Sequence, residues 1–255
     1  MRAAWLVVGS VLTVFAVTLS TGLIWRGFAS AREPTETTER AIPIAALTAL
    51  RVVSEAAVDV QIYPGEAGQI RILRWMRWSK EKPTVSEDWD GRTLRLDASC
   101  PGTGFLDGPI CDVEYQIMLP QDVDLEATTS AGGISVDDMA GDVRIDTVSG
   151  RIHLSDLPGA LHARSGSGSF WGSALRSERV DVEIGSGDLD LSFMKPPGQV
   201  RAIVRTSGDI RMDLPPAAYD VTASAPELIM APDSDPASSR KITTSTPDGA
   251  LSICC

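Results

Sequence analysis

The sequence predicts an all-β protein, a β-solenoid (β-helix) or a closely related two-sheet β-roll, preceded by one N-terminal transmembrane helix. Three observations favour this architecture. The N-terminus carries a long uncharged apolar stretch, apolar and polar residues alternate from residue 47 onward, and a strand, Ser-Gly turn and strand recur every 17–21 residues. No stretch beyond residue 47 shows the i, i+3, i+4, i+7 apolar spacing of an amphipathic helix.

The composition excludes one large class of functions. The chain has 255 residues and a formal net charge of −11. A protein that binds nucleic acid needs a basic surface to neutralise phosphates, so DNA and RNA are not expected partners. The hydrophobic content of 43% is enough for a sizeable core.

Residues 1–26 are predicted to anchor the chain in a membrane. The segment Ala3–Trp25 contains 23 residues and no charge, and a helix of that length crosses a hydrocarbon layer of roughly 30 Å. Trp5 and Trp25 lie near its two ends, where indoles favour the lipid headgroups. The alternative is a cleaved secretory signal, because the Ala-Ser-Ala that ends at Ala31 fits a cleavage site and would release a secreted protein.

The placement of cysteines indicates that residues 27–255 lie outside the cytoplasm. Cys100 and Cys111 bracket a Gly- and Pro-rich segment that a disulfide could close in an oxidising compartment. Closing so short a loop stabilises a fold by about 2–3 kcal/mol in the chain-entropy model. Cys254 and Cys255 are adjacent, so other pairings stay open. The spacing of the cysteines does not favour a zinc site.

Two regions separate the predicted helix from the repeats. Residues 27–43 are polar and contain two prolines, which is typical of a flexible linker. Residues 44–127 are predicted to form an irregular β cap that protects the first edge of the repeat sheets. The candidate strands of this region are Leu47–Val53, Val58–Tyr63, Gln69–Trp78, Thr93–Ser99, Val113–Leu119 and Val123–Thr128.

Residues 128–255 repeat one short unit, and this repetition decides the predicted architecture. Each unit reads strand, Ser-Gly turn and strand, as in EIGSGDLDL (183–191) and RTSGDIRMDL (205–214). A unit of about 20 residues cannot bury its apolar face alone, so successive units must stack as coils. The turn glycines, expected to need positive φ or close approach of the next coil, are Gly133, Gly150, Gly168, Gly187, Gly208 and Gly249.

The alternation within each unit predicts which side chains form the core. Val182, Leu191, Val204 and Met212 are expected to point inward, and the charged residues between them outward. The last two turn glycines are 41 residues apart, so one more coil without a turn glycine is expected around residues 221–230.

The repeated motif Ser-Gly-Asp-(Ile/Leu)-x-(Met/Leu) carries a resemblance to a known family. It occurs at residues 186–191 and 207–212, after an apolar N-terminal stretch and an irregular β region. The arrangement resembles the bacterial putative-adhesin family of β-strand repeat proteins over about residues 47–255. The resemblance implies a solenoid at the cell envelope, a domain without assigned function, and no catalytic residues. Two turns depart from the motif, with Arg151 and Ser169 in place of Asp.

Few residues are candidates for catalysis or metal binding. His153 and His162 are nine residues apart, which matches neither one strand face nor one full coil, and no G-x-S-x-G nucleophile elbow occurs. Asp188 and Asp209 occupy equivalent turn positions and could share a calcium ion, although calcium prefers six to eight oxygen ligands. We therefore expect no catalytic residue, metal or cofactor.

One basic and aromatic segment is the candidate binding surface. Residues 71–82 contain five basic residues, one acid and two tryptophans in an otherwise acidic chain. Such a mixture suits anionic lipids or acidic envelope polymers. The alternative is an amphipathic strand whose indoles pack in the cap under arginine side chains. The residues expected to form the surface are Arg71, Arg74, Trp75, Arg77, Trp78 and Lys80.

These observations predict a non-enzymatic, membrane-anchored, extracytoplasmic module for interaction, scaffolding or adhesion at the bacterial cell envelope. Its expected partners are the membrane and an envelope polymer or membrane protein. Two other hypotheses stay open. A carbohydrate-active enzyme on a β-helix would need carboxylates clustered in one groove. An accessory subunit of a membrane stress sensor would need a stoichiometric membrane partner.

Overall fold

The computed structural model describes residues 2–30, 34–44, 47–79, 81–99, 110–230 and 234–254. These residues form one helix, α1 at Arg2–Ser30, and 21 strands in two sheets, which confirms the predicted all-β class. The strands are β1 (Thr35–Pro43), β2 (Ala49–Ala57), β3 (Asp59–Pro64), β4 (Gln69–Trp78), β5 (Thr84–Trp89), β6 (Thr93–Ser99), β7 (Cys111–Leu119), β8 (Asp124–Ala131), β9 (Ile134–Asp137), β10 (Val143–Ser149), β11 (Ile152–Ser155), β12 (Leu161–Ser167), β13 (Phe170–Leu175), β14 (Arg179–Ser186), β15 (Leu189–Phe193), β16 (Gln199–Ser207), β17 (Ile210–Asp213), β18 (Asp220–Ser224), β19 (Glu227–Met230), β20 (Lys241–Ser245) and β21 (Ala250–Cys254).

Helix α1 contains the segment predicted to be the anchor. Its side chains are described from residue 10 to residue 25, and all of them are exposed, including Trp25. The side chain of Trp5 lies outside the described part. Over the residues that the structure describes, no helix combines the length and the apolar character needed to cross a membrane.

The chain divides into two compact units. The first unit, which contains helix α1, comprises Met1–Glu36, Met76–Thr84 and Cys100–Asp112. The second unit comprises Thr37–Trp75, Val85–Ser99 and Val113–Cys255. All the repeated coils from residue 128 onward belong to the second unit.

The repeats alternate between the two sheets. The eleven-stranded sheet has the order β1-β4-β7-β3-β9-β11-β13-β15-β17-β21-β19, and the ten-stranded sheet has the order β18-β20-β16-β14-β12-β10-β8-β2-β6-β5. From β8 to β17, neighbouring strands of each sheet pair in parallel, so every coil contributes one strand to each sheet. This is the solenoid-like arrangement that the repeat period predicts, and it is confirmed.

The core is built from every second residue of the coils. Val182, Leu191, Val204 and Met212, predicted to point inward, are all buried. In parallel pairing each of them lies above the equivalent aliphatic residue of the neighbouring coil, as Leu191 does above Met212. Full burial of such side chains contributes roughly 1.5–3 kcal/mol each, which no single coil could gain alone.

A column of glycines runs along one corner of the stack. Gly168 has a φ of +115°, and a Cβ added there would overlap the carbonyl oxygen of Gly150 in the coil before it. Both reasons expected for glycine therefore apply. One assignment was wrong: the first member of the column is Gly132, which has a φ of +102°, and not Gly133. Two adjacent glycines at this turn made the choice ambiguous, and the amide of Gly133 instead donates to the side chain of Asp59.

The last coils do not stack in the order of the sequence. The predicted coil around residues 221–230 exists as β18 and β19, but it lies at the outer end of the stack. The later strands β20 and β21 are inserted between it and the coil of β16 and β17. This order continues the glycine column, because Gly249 approaches the carbonyl of Gly208. The coil without a turn glycine takes the outer position, where Leu228 and Ile229 are exposed.

Parallel strand pairing also continues before residue 128. Strand β2 pairs in parallel with both β8 and β6, and β3 pairs in parallel with both β9 and β7. The chain order is therefore rearranged here as well, since β2 and β3 lie between two coils that follow them in the sequence. Strands β1 and β5 form the sheet edges at this end.

Candidate functional site

The outer face of the ten-stranded sheet carries rows of charged side chains. Parallel pairing of β10, β12, β14 and β16 places Arg144, His162, Asp181 and Arg201 in one row. Adjacent strands are roughly 4.8 Å apart, so neighbouring members of a row are within reach of one another. We call this surface the charged face; it consists of Arg144, His162, Arg164, Asp181, Glu183, Arg201 and Arg205.

Glu183 is the centre of the charged face. Only 7% of its side chain is exposed, and its carboxylate accepts hydrogen bonds from Arg164, from Arg205, and from Arg201 Nη1 at 2.9 Å. Burial alone would raise the pKa of Glu183. The hydrogen bonds from Arg201 and Arg205 and the attraction of the Arg164 and Arg205 charges outweigh burial, so this pKa lies below its usual range.

Asp181 extends the same network to the next row. Its carboxylate lies 3.2 Å from Arg164 Nη2, 3.0 Å from Arg201 Nη1 and 3.3 Å from His162 Nδ1. Hydrogen bonds to Glu183 and then to Asp181 raise the pKa of Arg201 above its ordinary value. Three guanidinium groups from the two neighbouring coils, those of β12 and β16, are therefore held by carboxylates of β14, and the network ties successive coils together.

The outer face of the eleven-stranded sheet is different. Its equivalent row contains Gln61, Ser135, His153, Trp171 and Asp190, brought side by side by parallel pairing. The indole of Trp171 is 38% exposed although it lies in the middle of the sheet. A groove of about 360 Å³ runs beside it. We call it the indole groove; the residues that give it its chemistry are Asp59, Gln61, Glu114, Arg151, His153 and Trp171.

Hydrogen bonds fix one wall of the indole groove. Gln61 Nε2 donates to Glu114 Oε1 at 2.5 Å, and the hydroxyl of Tyr63 donates to Gln61 Oε1 at 2.8 Å. Burial, followed by the negative charges of Asp137 and Glu114, raises the pKa of Tyr63.

The other side of the groove contains Arg151, which stands in place of the aspartate of the repeated motif. At the regular corners the motif aspartate bonds to the next coil: Asp188 Oδ1 accepts the amide of Asp209 at 3.1 Å, and Asp209 Oδ1 accepts that of Ala250 at 2.8 Å. Arg151 occupies the same corner position in an earlier coil, and it lines the indole groove. The two aspartates considered for calcium are thus engaged with backbone amides. No group of three or more potential metal ligands occurs among the described residues.

The fold and the repeats match a known family. A family model described as Toastrack DUF4097 matches residues 48–225, more than half of the chain. The chain belongs to the Toastrack family. This confirms the resemblance to adhesin-like repeat domains of unknown function that the Ser-Gly-Asp motif carries. Among curated proteins, none matches the sequence.

Several solved structures are similar to this Toastrack chain. A protein described as a putative adhesin from Bacteroides fragilis shares 11% identity at a TM-score of 0.44, over 86% of this chain and 97% of that one. A putative cell adhesion protein from Clostridium sporogenes shares 13% at 0.33, covering 86% and 98%. A putative lipid binding protein from Parabacteroides distasonis shares 11% at 0.33, covering 86% and 94%.

The candidate binding surface on β4 is divided by the alternation of the strand. In the second unit, Arg71 lies on the outside with carboxylate oxygens of Glu39 at 3.5 Å and Glu66 at 3.9 Å, and Trp75 is exposed. Arg74 is instead largely buried, with 14% of its side chain exposed, and its Nη1 lies 2.5 Å from Glu87 Oε1. Arg74 therefore serves a buried ion pair in the Toastrack stack.

A buried tyrosine accompanies this ion pair. Burial, assisted by the charge of Glu87, raises the pKa of Tyr115 to about 12. Arg74 opposes this shift. The tyrosine is fully buried, so the polar cluster of Arg74, Glu87 and Tyr115 belongs to the interior of the second unit.

The remaining residues of the candidate surface belong to the first unit. Arg77 Nη2 lies 2.5 Å from Asp112 Oδ2, and the ammonium of Lys82 lies 5.9 Å from the centre of the Trp78 ring while it also binds Glu36 at 2.7 Å. Lys80 lies outside the described residues. A role of this segment in binding stays a prediction.

The predicted disulfide also stays a prediction. Cys111 is disulfide-bonded, but Cys100 lies outside the described residues, as does Cys255. Cys254 is free and exposed.

Neither the charged face nor the indole groove is predicted from the sequence. In the sequence alone, Arg151 is a departure from the motif and His153 an isolated histidine. The signal that would have found the groove is that the departures fall in consecutive coils: SGRIHL at 149–154 and SGSFWG at 167–172, against SGDLDL at 186–191.

Proposed function

We propose that this Toastrack chain is a non-enzymatic interaction module of the bacterial cell envelope, anchored by helix α1, with residues 27–255 outside the cytoplasm. The observation that carries the proposal is the registered array of polar and aromatic side chains on the outer faces of the two sheets. Glycine corners and parallel ladders hold these side chains at fixed spacing, which suits recognition of an extended partner.

The anchor is proposed from the uncharged segment Ala3–Trp25, of which the finding on membrane-crossing helices covers only the described part. Every described side chain from residue 10 to residue 25 is exposed, and most of them are apolar. Exposed apolar surface of this extent is typical of a segment covered by lipid or by another protein. Exposure of the protein outside the cytoplasm is supported by the cysteines that flank residues 101–110.

The experiment tests anchoring and interaction together. The full chain, expressed in a Gram-negative host with alkaline phosphatase fused after residue 255, should be phosphatase-active and should stay with membranes after carbonate extraction. The detergent-solubilised chain should then co-sediment saturably with isolated envelopes without releasing polymer fragments.

Each contrary result has a distinct meaning. An inactive phosphatase, or a chain released by carbonate, contradicts the location and the anchor. Release of a species shortened after Ala31 supports a secreted protein. Release of oligosaccharides would favour the carbohydrate-active enzyme over the interaction module.

A further inference from the structure

We propose that the indole groove is a glycan-binding site, in which Trp171 stacks on a sugar ring and the polar residues around it bind the ring hydroxyls. The proposal rests on the proposed interaction function and names the chemistry of the ligand.

The first step is that the groove is lined by a coil whose corner residue, Arg151, departs from the repeated motif. In the regular coils, Asp188 and Asp209 bind the next coil, and Asp190 lies 3.5 Å from Arg211. Those side chains hold the stack together. Arg151, by contrast, forms no ion pair with any other described residue. A guanidinium that does not bind its own fold is free to bind a ligand.

The second step is the position of the indole. Trp171 pairs with His153 on one side and Asp190 on the other, so it stands on the sheet between two polar neighbours. A β-bulge follows directly, marked by the register shift between Gly172 and Leu175 and by the φ of +52° at Ala174. Bulges are common where a side chain must be redirected for binding.

The third step is the chemistry of the lining. An exposed indole offers a flat apolar face that fits the C–H face of a pyranose ring, and tryptophan contributes strongly to binding wherever it is partly desolvated. Imidazole, guanidinium, carboxylate and amide groups line the groove on the β11 side of the indole, at His153, Arg151, Asp59, Gln61 and Glu114. This mixture of donors and acceptors matches a ligand rich in hydroxyl groups.

The same lining disfavours other ligands. A lipid chain needs a continuous apolar wall, whereas six of the side chains that line this groove are polar. A nucleic acid needs net positive charge, whereas two carboxylates oppose one guanidinium. The volume of about 360 Å³ falls in the range of sites for small ligands, and its open form suits a segment of a longer chain.

The experiment is calorimetric titration of the full chain in detergent with two defined probes. These are the pentamer of N-acetylglucosamine and the pentamer of galacturonic acid, so that a neutral and an anionic glycan are compared. At least one should bind. Trp171→Ala should weaken that binding at least tenfold. Arg151→Ala should weaken binding of the galacturonate at least fivefold and binding of the neutral pentamer by a smaller factor, because a guanidinium binds a carboxylate more strongly than a hydroxyl.

The matched controls lie on the other sheet. Val148→Ala removes an exposed apolar side chain from the outer face of the ten-stranded sheet, and Arg240→Ala removes an exposed guanidinium directly before β20 of the same sheet. Both should bind the probes as the parent chain does. Thermal unfolding of all four variants checks that the fold is intact.

Failure of this inference can be told from failure of the proposed function. If neither pentamer binds, or if Trp171→Ala binds as well as the parent, the glycan site is refuted, while co-sedimentation with envelopes can still support the interaction module. If the pentamers bind with the predicted losses but the chain neither inserts in membranes nor sediments with envelopes, the glycan site stands and the proposed function is refuted.

Discussion

The charged face and the indole groove lie on opposite sheets of the same coils, yet their polar residues have different roles. On the charged face, Glu183 and Asp181 bind arginines from neighbouring coils, so the charges stabilise the stack. In the indole groove, Arg151 has no such partner among the described residues, and Trp171 is exposed. Charged residues that pair with a neighbouring coil stabilise the stack, whereas Arg151 and Trp171 lie exposed beside the groove without such a pairing among the described residues.

The largest expected effect comes from a substitution in the glycine column, which positions the coils beneath both faces. Gly168→Ala would place a Cβ against the carbonyl of Gly150 at a φ of +115°, so the coils must separate and the residue is strained. We expect a loss of more than about 3 kcal/mol in the free energy of unfolding, measured by urea denaturation. Gly22→Ala is the control, because its added Cβ meets nothing within 4 Å. Equal urea midpoints for the two variants would contradict the role of the glycine column.

The second prediction compares the loss of one carboxylate charge on each face. Glu183→Gln removes the charge that three guanidinium groups share, and we expect a loss of roughly 1–3 kcal/mol at pH 7. The control is Asp190→Asn on the eleven-stranded sheet. Its carboxylate is more exposed and lies 3.5 Å from a single arginine, so at most about 0.5 kcal/mol is expected.

The pH dependence of Glu183→Gln has a definite sign. The pKa of Glu183 is lowered in the folded state, so its contribution to stability is present above the unfolded carboxyl pKa of about 4.3. It is lost as the pH falls through the still lower folded value. The stability difference between parent and variant should therefore be constant near neutrality and shrink below about pH 4. A difference that grows in acid would show that the carboxylate is not stabilised by the arginines.

The smallest effects compare two exposed arginines directly. Arg205→Ala removes a hydrogen bond to Glu183 and should cost about 1 kcal/mol in thermal or urea unfolding. Arg151→Ala should change stability by less than about 0.5 kcal/mol, because no ion pair with a described residue is lost. If Arg151→Ala were the more damaging substitution, Arg151 would be a structural residue and the contrast between the faces would fail.

The sequence predicts the local unit well because its causes are local. The period of two places Val182 and Leu191 in the core, and the need for positive φ places glycine at the corners. The sequence does not predict which coil lies beside which, since every coil presents a similar edge of backbone hydrogen-bond donors and acceptors. The insertion of β20 and β21 between two earlier coils was therefore not foreseen.

The candidate sites were harder to predict for a related reason. Contacts such as that of Arg164 with Asp181 join residues that become neighbours only through the register of stacked coils. The basic segment on β4 drew attention by composition, but composition does not show that Arg74 faces the interior towards Glu87. The break in the motif at Arg151 was visible, and its meaning depended on Trp171 lying one coil away.

The inserted coil also has a consequence for biosynthesis. Strands β18 and β19 leave the ribosome before β20 and β21, yet they have no neighbour until residues 241–254 arrive between them and the preceding coil. During translation this outer coil must wait for the strands that pair with it, so stacking cannot simply proceed from one end to the other. The slowest step in maturation of this protein is therefore expected to be the insertion of residues 241–254 between two coils that are synthesised before them, where a chaperone would have the most to protect.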